Sequence, residues 1–278
     1  MNLPDASQPA LPPGSMAVLI PIFALLLAWG VRVYVRVARQ IMKEGGRVHA
    51  QPLDLPEAMF ATMLAGFLCL MALQGFAGKS MPVTPQRMLG SAEFFGMIVL
   101  AIVATLKVRH HSLTELFGWR RVPFFRLGGR AVVFLLAAFP LVAVMNIAMA
   151  GLLGDRGEMQ DVVKYFLNAN QRHDYAAIIE TIVLAAVVAP IFEEFIFRGF
   201  LYGVARRYFG MTPAIILVSA LFGAIHSNLA ALPGLTVLSM CFCLAYEVTG
   251  SLFTSMIMHA LFNLTSLVLM MLSMHALP

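Results

Sequence analysis

Long blocks of apolar residues, broken by short polar stretches, dominate the pattern along this chain. A helix crossing the hydrocarbon core of a bilayer needs about 20 apolar residues. By that measure the pattern predicts about eight spanning helices, roughly at 16–35, 57–76, 88–106, 131–153, 176–208, 212–227, 232–248 and 251–273. The sixth and seventh are short. Because the blocks are continuous rather than alternating, a membrane β-barrel is excluded and an all-α, polytopic membrane helix bundle is expected. The first 15 residues are polar and Pro-rich with no Lys or Arg. The first block therefore lacks the positive flank of a secretory signal peptide and reads as a retained helix.

Composition agrees. Of 278 residues, 60% are hydrophobic and 12% charged, with a mean hydropathy of +0.84, whereas roughly a quarter of a soluble domain is charged. The formal charge of +5 reads as a bias of the cytoplasmic loops, not as an affinity for nucleic acid. Cys69, Cys241 and Cys243 lie inside apolar blocks, which excludes a disulfide framework and a Cys-rich zinc site.

The distribution of cations orients the helices. Arg32, Arg36, Arg39, Lys43 and Arg47 follow the first block, six more occupy 107–130, and Arg198, Arg206 and Arg207 end the fifth. With alternating helices these fourteen of the 19 Lys and Arg share one side. Lys79, Arg87, Arg156, Lys164 and Arg172 fall on the other. The positive-inside rule then predicts both termini outside the cytoplasm, in a multi-pass protein of the cell (inner) membrane. The cations from Arg32 to Arg47 recur every three or four residues on one helix face, where snorkelling and contact with anionic lipid account for them. Between the third and fourth blocks, Trp119, Phe124 and Phe125 mixed with cations predict an interfacial segment on the cytoplasmic surface. The expected division is a polar extracytoplasmic N-terminus (1–15), helices one to four with the interfacial segment (16–175), and a C-terminal core (176–278).

Ionisable groups within the hydrocarbon cost about 2.5–3.5 kcal/mol each on insertion scales, so each needs a reason. This chain concentrates them in its C-terminal core: Glu193, Glu194 and Arg198, then His226, then His259 with Asn263. On a helix Glu194 and Arg198, four apart, meet on one face as an internal ion pair, whereas Glu193 points about 100° away as a free carboxylate. His259 and Asn263 are also four apart and project into one cavity. Glu193 precedes the turn at Gly210 by 17 residues and His226 follows it by 16. In an antiparallel pair both stand about 25 Å from that turn, well inside the bilayer. Pro190 frees the carbonyl of Ala186 and kinks the helix beside the carboxylate.

Each of these groups also has a plainer reading. A single membrane histidine is more often a packing residue than a chemical one. Glu180 and Glu247 lie near helix ends and read as interfacial. Thr254, Ser255 and Thr265 read as helix-packing hydroxyls. No GxSxG elbow and no HExxH zinc helix occurs.

Together the groups say more. EEFIFR, FGAIH and HALFN, in that order, match the EExxxR, FxxxH and HxxxN motifs of the CAAX protease and bacteriocin-processing family of intramembrane proteases. That family, CPBP for short, includes the type II CAAX prenyl endopeptidases and the bacterial Abi proteins. The resemblance covers roughly 178–269. It implies that Glu193 and His226 activate a water, and that His259 and Asn263 stabilise the oxyanion formed when this water attacks a peptide carbonyl. Physics allows these roles independently, since a buried Glu serves as a general base and paired donors stabilise developing negative charge. Glu193, His226 and His259 also make up an O,N,N set suited to zinc with one open position; the metal-independent route is preferred. The rival reading is a non-proteolytic membrane protein, either a proton-coupled transporter or an inactive scaffold, because buried Glu and His also suit proton relays. The expected partners are membrane lipid and a peptide or protein substrate.

Overall fold

The computed structural model describes residues 15–78, 83–119, 123–154 and 160–275. These form α1 (Ser15–Glu44), α2 (Leu55–Ala77), α3 (Pro85–Val108), α4 (Leu113–Leu116), α5 (Phe124–Leu153), α6 (Asp161–Gln171), α7 (Tyr175–Phe209), α8 (Met211–Ile225), α9 (Leu232–Thr249) and α10 (Leu252–His275). No strand occurs among the described residues. The protein is an all-α, multi-pass membrane bundle. Apolar side chains such as Leu25, Met63, Leu100, Ile179 and Leu272 cover its outside and stay exposed, as a bilayer requires.

Among the described residues, seven helices are long and apolar enough to cross a membrane: α1, α2, α3, α5, α7, α9 and α10. The sixth predicted block is α8, whose 15 residues rise only about 22 Å. It falls short of a span and ends inside the bundle. The chain leaves it through Ser227, a non-glycine residue at φ 49°, and Asn228 Oδ1 then accepts from Ala231 N–H (2.9 Å) to start α9. Helix α7 is one continuous run of 35 residues, about 52 Å long.

Packing brings the two parts of the chain together. Helix α5 lies against α1, α9 and α10, and α9 against α8. Small residues allow the approach: a Cβ on Gly30 of α1 would collide with the Ala137 carbonyl of α5. An aromatic core of Phe117, Phe195, Phe197, Phe200, Tyr202 and Phe222 fills the middle.

One end of the bundle is tied by buried polar contacts. Glu247, predicted to be interfacial, is fully buried. It pairs with Arg206, accepts from Tyr202 Oη, and its backbone carbonyl accepts from Arg47 N–H at 2.9 Å. A second anchor joins α2 to the segment after α3, where the fully buried Glu57 accepts from Arg109 Nε (3.2 Å) and contacts His111 Nε2 (3.0 Å). Burial of each carboxylate is tolerated because the cation and hydrogen bonds it meets offset the cost of leaving the headgroup region.

The predicted interfacial segment also departs from expectation. Phe117 is fully buried and stacks edge-on against Phe195 at 4.8 Å, and Leu252 N–H donates to its carbonyl (3.0 Å). Helix α5 starts at Phe124 rather than near 131. The segment therefore plugs the bundle; Phe125, 74% exposed, behaves as an interfacial anchor, and the Phe124 side chain lies outside the described residues. Arg120 and Arg121, and the polar N-terminus through residue 14, lie outside the described residues.

Candidate functional site

Helix α7 changes its winding twice around the two adjacent carboxylates. Residues Leu184–Val188 and Phe195–Leu201 form π-turns, and the α-helical Ala189–Glu194 lies between them. Such wider turns often mark functional sites, because each removes a hydrogen bond from the helical register. In the first π-turn Ala189 N–H donates to the Leu184 carbonyl, five residues back. The next donor in that register would be residue 190, which is proline and has no N–H. The carbonyl left over is thus that of Ala185, not of Ala186 as an α-register predicts. Asn263 Nδ2 fills the gap, donating to Ala185 O at 2.7 Å.

Glu194 and Arg198 form the expected ion pair. Both side chains are fully buried and Arg198 Nη1 donates to Glu194 Oε1 at 2.9 Å. Arg198 Nη2 donates to Ser239 Oγ (2.7 Å), and its guanidinium lies over the rings of Phe222 and Phe242, 4.4 and 5.1 Å from their centroids. Glu194 does more than the spacing foretold. Its Oε1 also accepts from His259 Nδ1 at 2.9 Å, which fixes the imidazole and turns Nε2 toward Glu193 Oε2, 3.8 Å away.

His226 follows the last turn of α8. Its Nδ1 lies 2.7 Å from the Phe222 carbonyl; a carbonyl can only accept, so Nδ1 is the donor, and in the neutral ring the lone pair sits on Nε2. Phe222 supports both histidines, with ring centroids 4.9 Å from His226 and 5.7 Å from His259.

All four candidate residues, Glu193, His226, His259 and Asn263, line one cavity of 1270 Å³ within the bundle. Its other walls are largely apolar, including Phe67, Phe94, Phe95, Phe192 and Phe262. As a zinc set the candidates fit poorly. Among the described residues no three His, Cys, Asp or Glu side chains gather to hold a metal ion.

Three further residues bear on the site. Ser239 shows no sequence signal apart from being a hydroxyl in an apolar helix. Phe222 opens the FGAIH motif. Gly75 of α2 lies so close to Ser227 that a Cβ would collide with its Oγ; nothing in the sequence marks this glycine, because the contact spans two distant helices.

Residues 176–265 match a family model described as type II CAAX prenyl endopeptidase Rce1-like. The matched span contains all three motifs and bears out the family resemblance they carry. No curated protein and no solved structure matches the chain.

Proposed function

With residues 176–265 identified as Rce1-like, within the type II CAAX prenyl endopeptidases, we propose that the protein is an intramembrane endopeptidase that hydrolyses a peptide bond of a membrane-associated or lipidated substrate. The observation carrying this reading is the convergence of Glu193, His226, His259 and Asn263 on one cavity.

In this reading a water lies between the Glu193 carboxylate and His226 Nε2. Glu193 takes a proton as the water oxygen attacks the peptide carbonyl carbon. The oxyanion receives hydrogen bonds from His259 Nε2–H, with both ring nitrogens protonated, and from the second Nδ2 hydrogen of Asn263. The C–N bond then breaks and the proton passes to the departing amine, so the elements of water are divided between the two products. Glu194 positions His259 and does not touch the substrate. The Arg198 cation balances Glu194, and the surrounding aromatic rings keep the pair dry, which strengthens it.

A transporter or scaffold would need buried charge but not a carboxylate, a histidine with a free Nε2 and a His/Asn pair around one cavity. The test is incubation of the purified protein with a peptide library. Glu193→Gln and His226→Ala are each expected to abolish cleavage with membrane insertion near normal, and the double variant to be no worse than either, since groups acting on one water fail as a unit. Cleavage is expected to survive a chelator. Retained cleavage in Glu193→Gln contradicts the assignment, and loss of cleavage with chelator contradicts the metal-independent route.

A further inference from the structure

The two ends of the bundle differ in chemistry and in closure. The basic end collects the segment after α1, the segment between α3 and α5, the turn at Gly210 and the turn at Gly250. It is held shut by Glu247 with Arg206 and by Glu57 with Arg109, and by Phe117 and Leu252, which are fully buried above Phe195. None of the described residues of these segments lines the cavity.

The cavity extends the other way. It is lined by Gln74 in the last turn of α2, Gln86 and Ser91 near the start of α3, Gln160 just before α6, Ala231 just before α9, and Met270 near the end of α10. All these positions belong to the end that carries the sparse minority of cations. The polar lining concentrates there, as the amides of Gln74, Gln86 and Gln160, the hydroxyl of Ser91 and the cation Arg87, while the phenylalanines lie deeper.

Among the described residues, eleven Lys and Arg lie toward the closed end, five from Arg32 to Arg47, four from Lys107 to Arg130 with Arg206 and Arg207, and three, Arg87, Lys164 and Arg172, toward the other; cytoplasmic loops are the ones that accumulate Lys and Arg. From this charge asymmetry and the position of the opening we propose that the site is reached from outside the cytoplasm. The inference rests on the proteolytic reading for its consequence: the bond cleaved lies in the extracytoplasmic juxtamembrane part of a membrane-anchored polypeptide. A lipidated peptide presented at the cytoplasmic face would meet the closed end. The apolar depth of the cavity suits the membrane-embedded side chains of such a substrate, and the polar mouth, with its amides and Arg87, suits its hydrated backbone.

The experiment places single cysteines in the full-length protein, in a Cys69→Ala background, since Cys69 is the exposed one of the three natural cysteines. Gln74→Cys and Ser91→Cys probe the mouth at two independent positions, and Gly45→Cys probes the closed end. Intact cells of a bacterial expression host are treated with a membrane-impermeant maleimide. The mouth cysteines are expected to react in intact cells, and Gly45→Cys only after the cells are opened. Reaction of Gly45→Cys in intact cells, or mouth cysteines that react only in opened cells or in neither, overturns the proposal. In a second arm, a peptide library is added to right-side-out and inverted membrane vesicles. Cleavage is expected in the right-side-out vesicles alone, and cleavage only in inverted vesicles overturns the sidedness. If neither preparation cleaves while the labelling pattern holds, the proteolytic reading fails and the sidedness stands.

Discussion

Glu193 and Glu194 are adjacent in sequence yet face different tasks, because one helical step turns them about 100° apart. Glu194 faces Arg198 and His259, fully buried; Glu193 faces the cavity. Removing one partner of a buried ion pair costs about 3–5 kcal/mol, since the other charge is left uncompensated. Glu194→Ala and Arg198→Ala are therefore expected to melt well below the parent in detergent, while Glu193→Ala melts at the parent temperature or above it. Glu194→Gln, which keeps an acceptor for His259 Nδ1, should recover part of the activity that Glu194→Ala loses. A Glu193→Ala variant less stable than both others would reverse these roles. The i, i+4 spacing in the sequence was enough to pair Glu194 with Arg198 and to set Glu193 apart. It could not show that Glu194 also holds His259, 65 positions away, because helical periodicity carries no information on which helix packs opposite.

Within α7 the informative element is the π-turn ahead of the carboxylates. Pro190 was legible as a break, but the sequence gives no account of a wider turn, so an α-register assigns the orphan carbonyl to the wrong residue. The structure moves it by one position to Ala185 and gives it to Asn263. Asn263→Ala is expected to destabilise by about 1–3 kcal/mol, the cost of a buried acceptor left without a donor. Pro190→Ala supplies a backbone N–H in its place. The double variant should thus recover stability relative to Asn263→Ala while remaining impaired in peptide cleavage. Melting temperatures of the two single variants and the double variant form the cycle, and strict additivity would show that Ala185 O does not couple the two positions. The short α8 offers a similar lesson. Its apolar block is visible in the sequence, but the chain leaves the helix where Ser227 lies against Gly75, a contact between residues 152 positions apart by their numbers.

At the scale of the molecule, the all-α membrane architecture follows from the length of the apolar blocks, and the C-terminal location of the site follows from where buried charge concentrates. What composition hides is closure. Aromatic residues next to cations read as an interfacial surface, yet Phe117 turns inward to seal the bundle, and Glu247 exchanges headgroups for Arg206 and Tyr202. The result is a cavity sealed at one end, with its reactive groups on elements fixed by a buried ion pair and an aromatic core. The central claim is that this cavity adds water to a peptide bond through Glu193 and His226. Its most direct test is cleavage of a peptide library by the purified protein in ¹⁸O-enriched water, followed by mass spectrometry of the products. One ¹⁸O atom is expected in each newly formed C-terminal carboxylate with the parent protein, and no product with Glu193→Gln. Cleavage without ¹⁸O incorporation, equal cleavage by Glu193→Gln, or an intact library after incubation with the folded parent protein would contradict it.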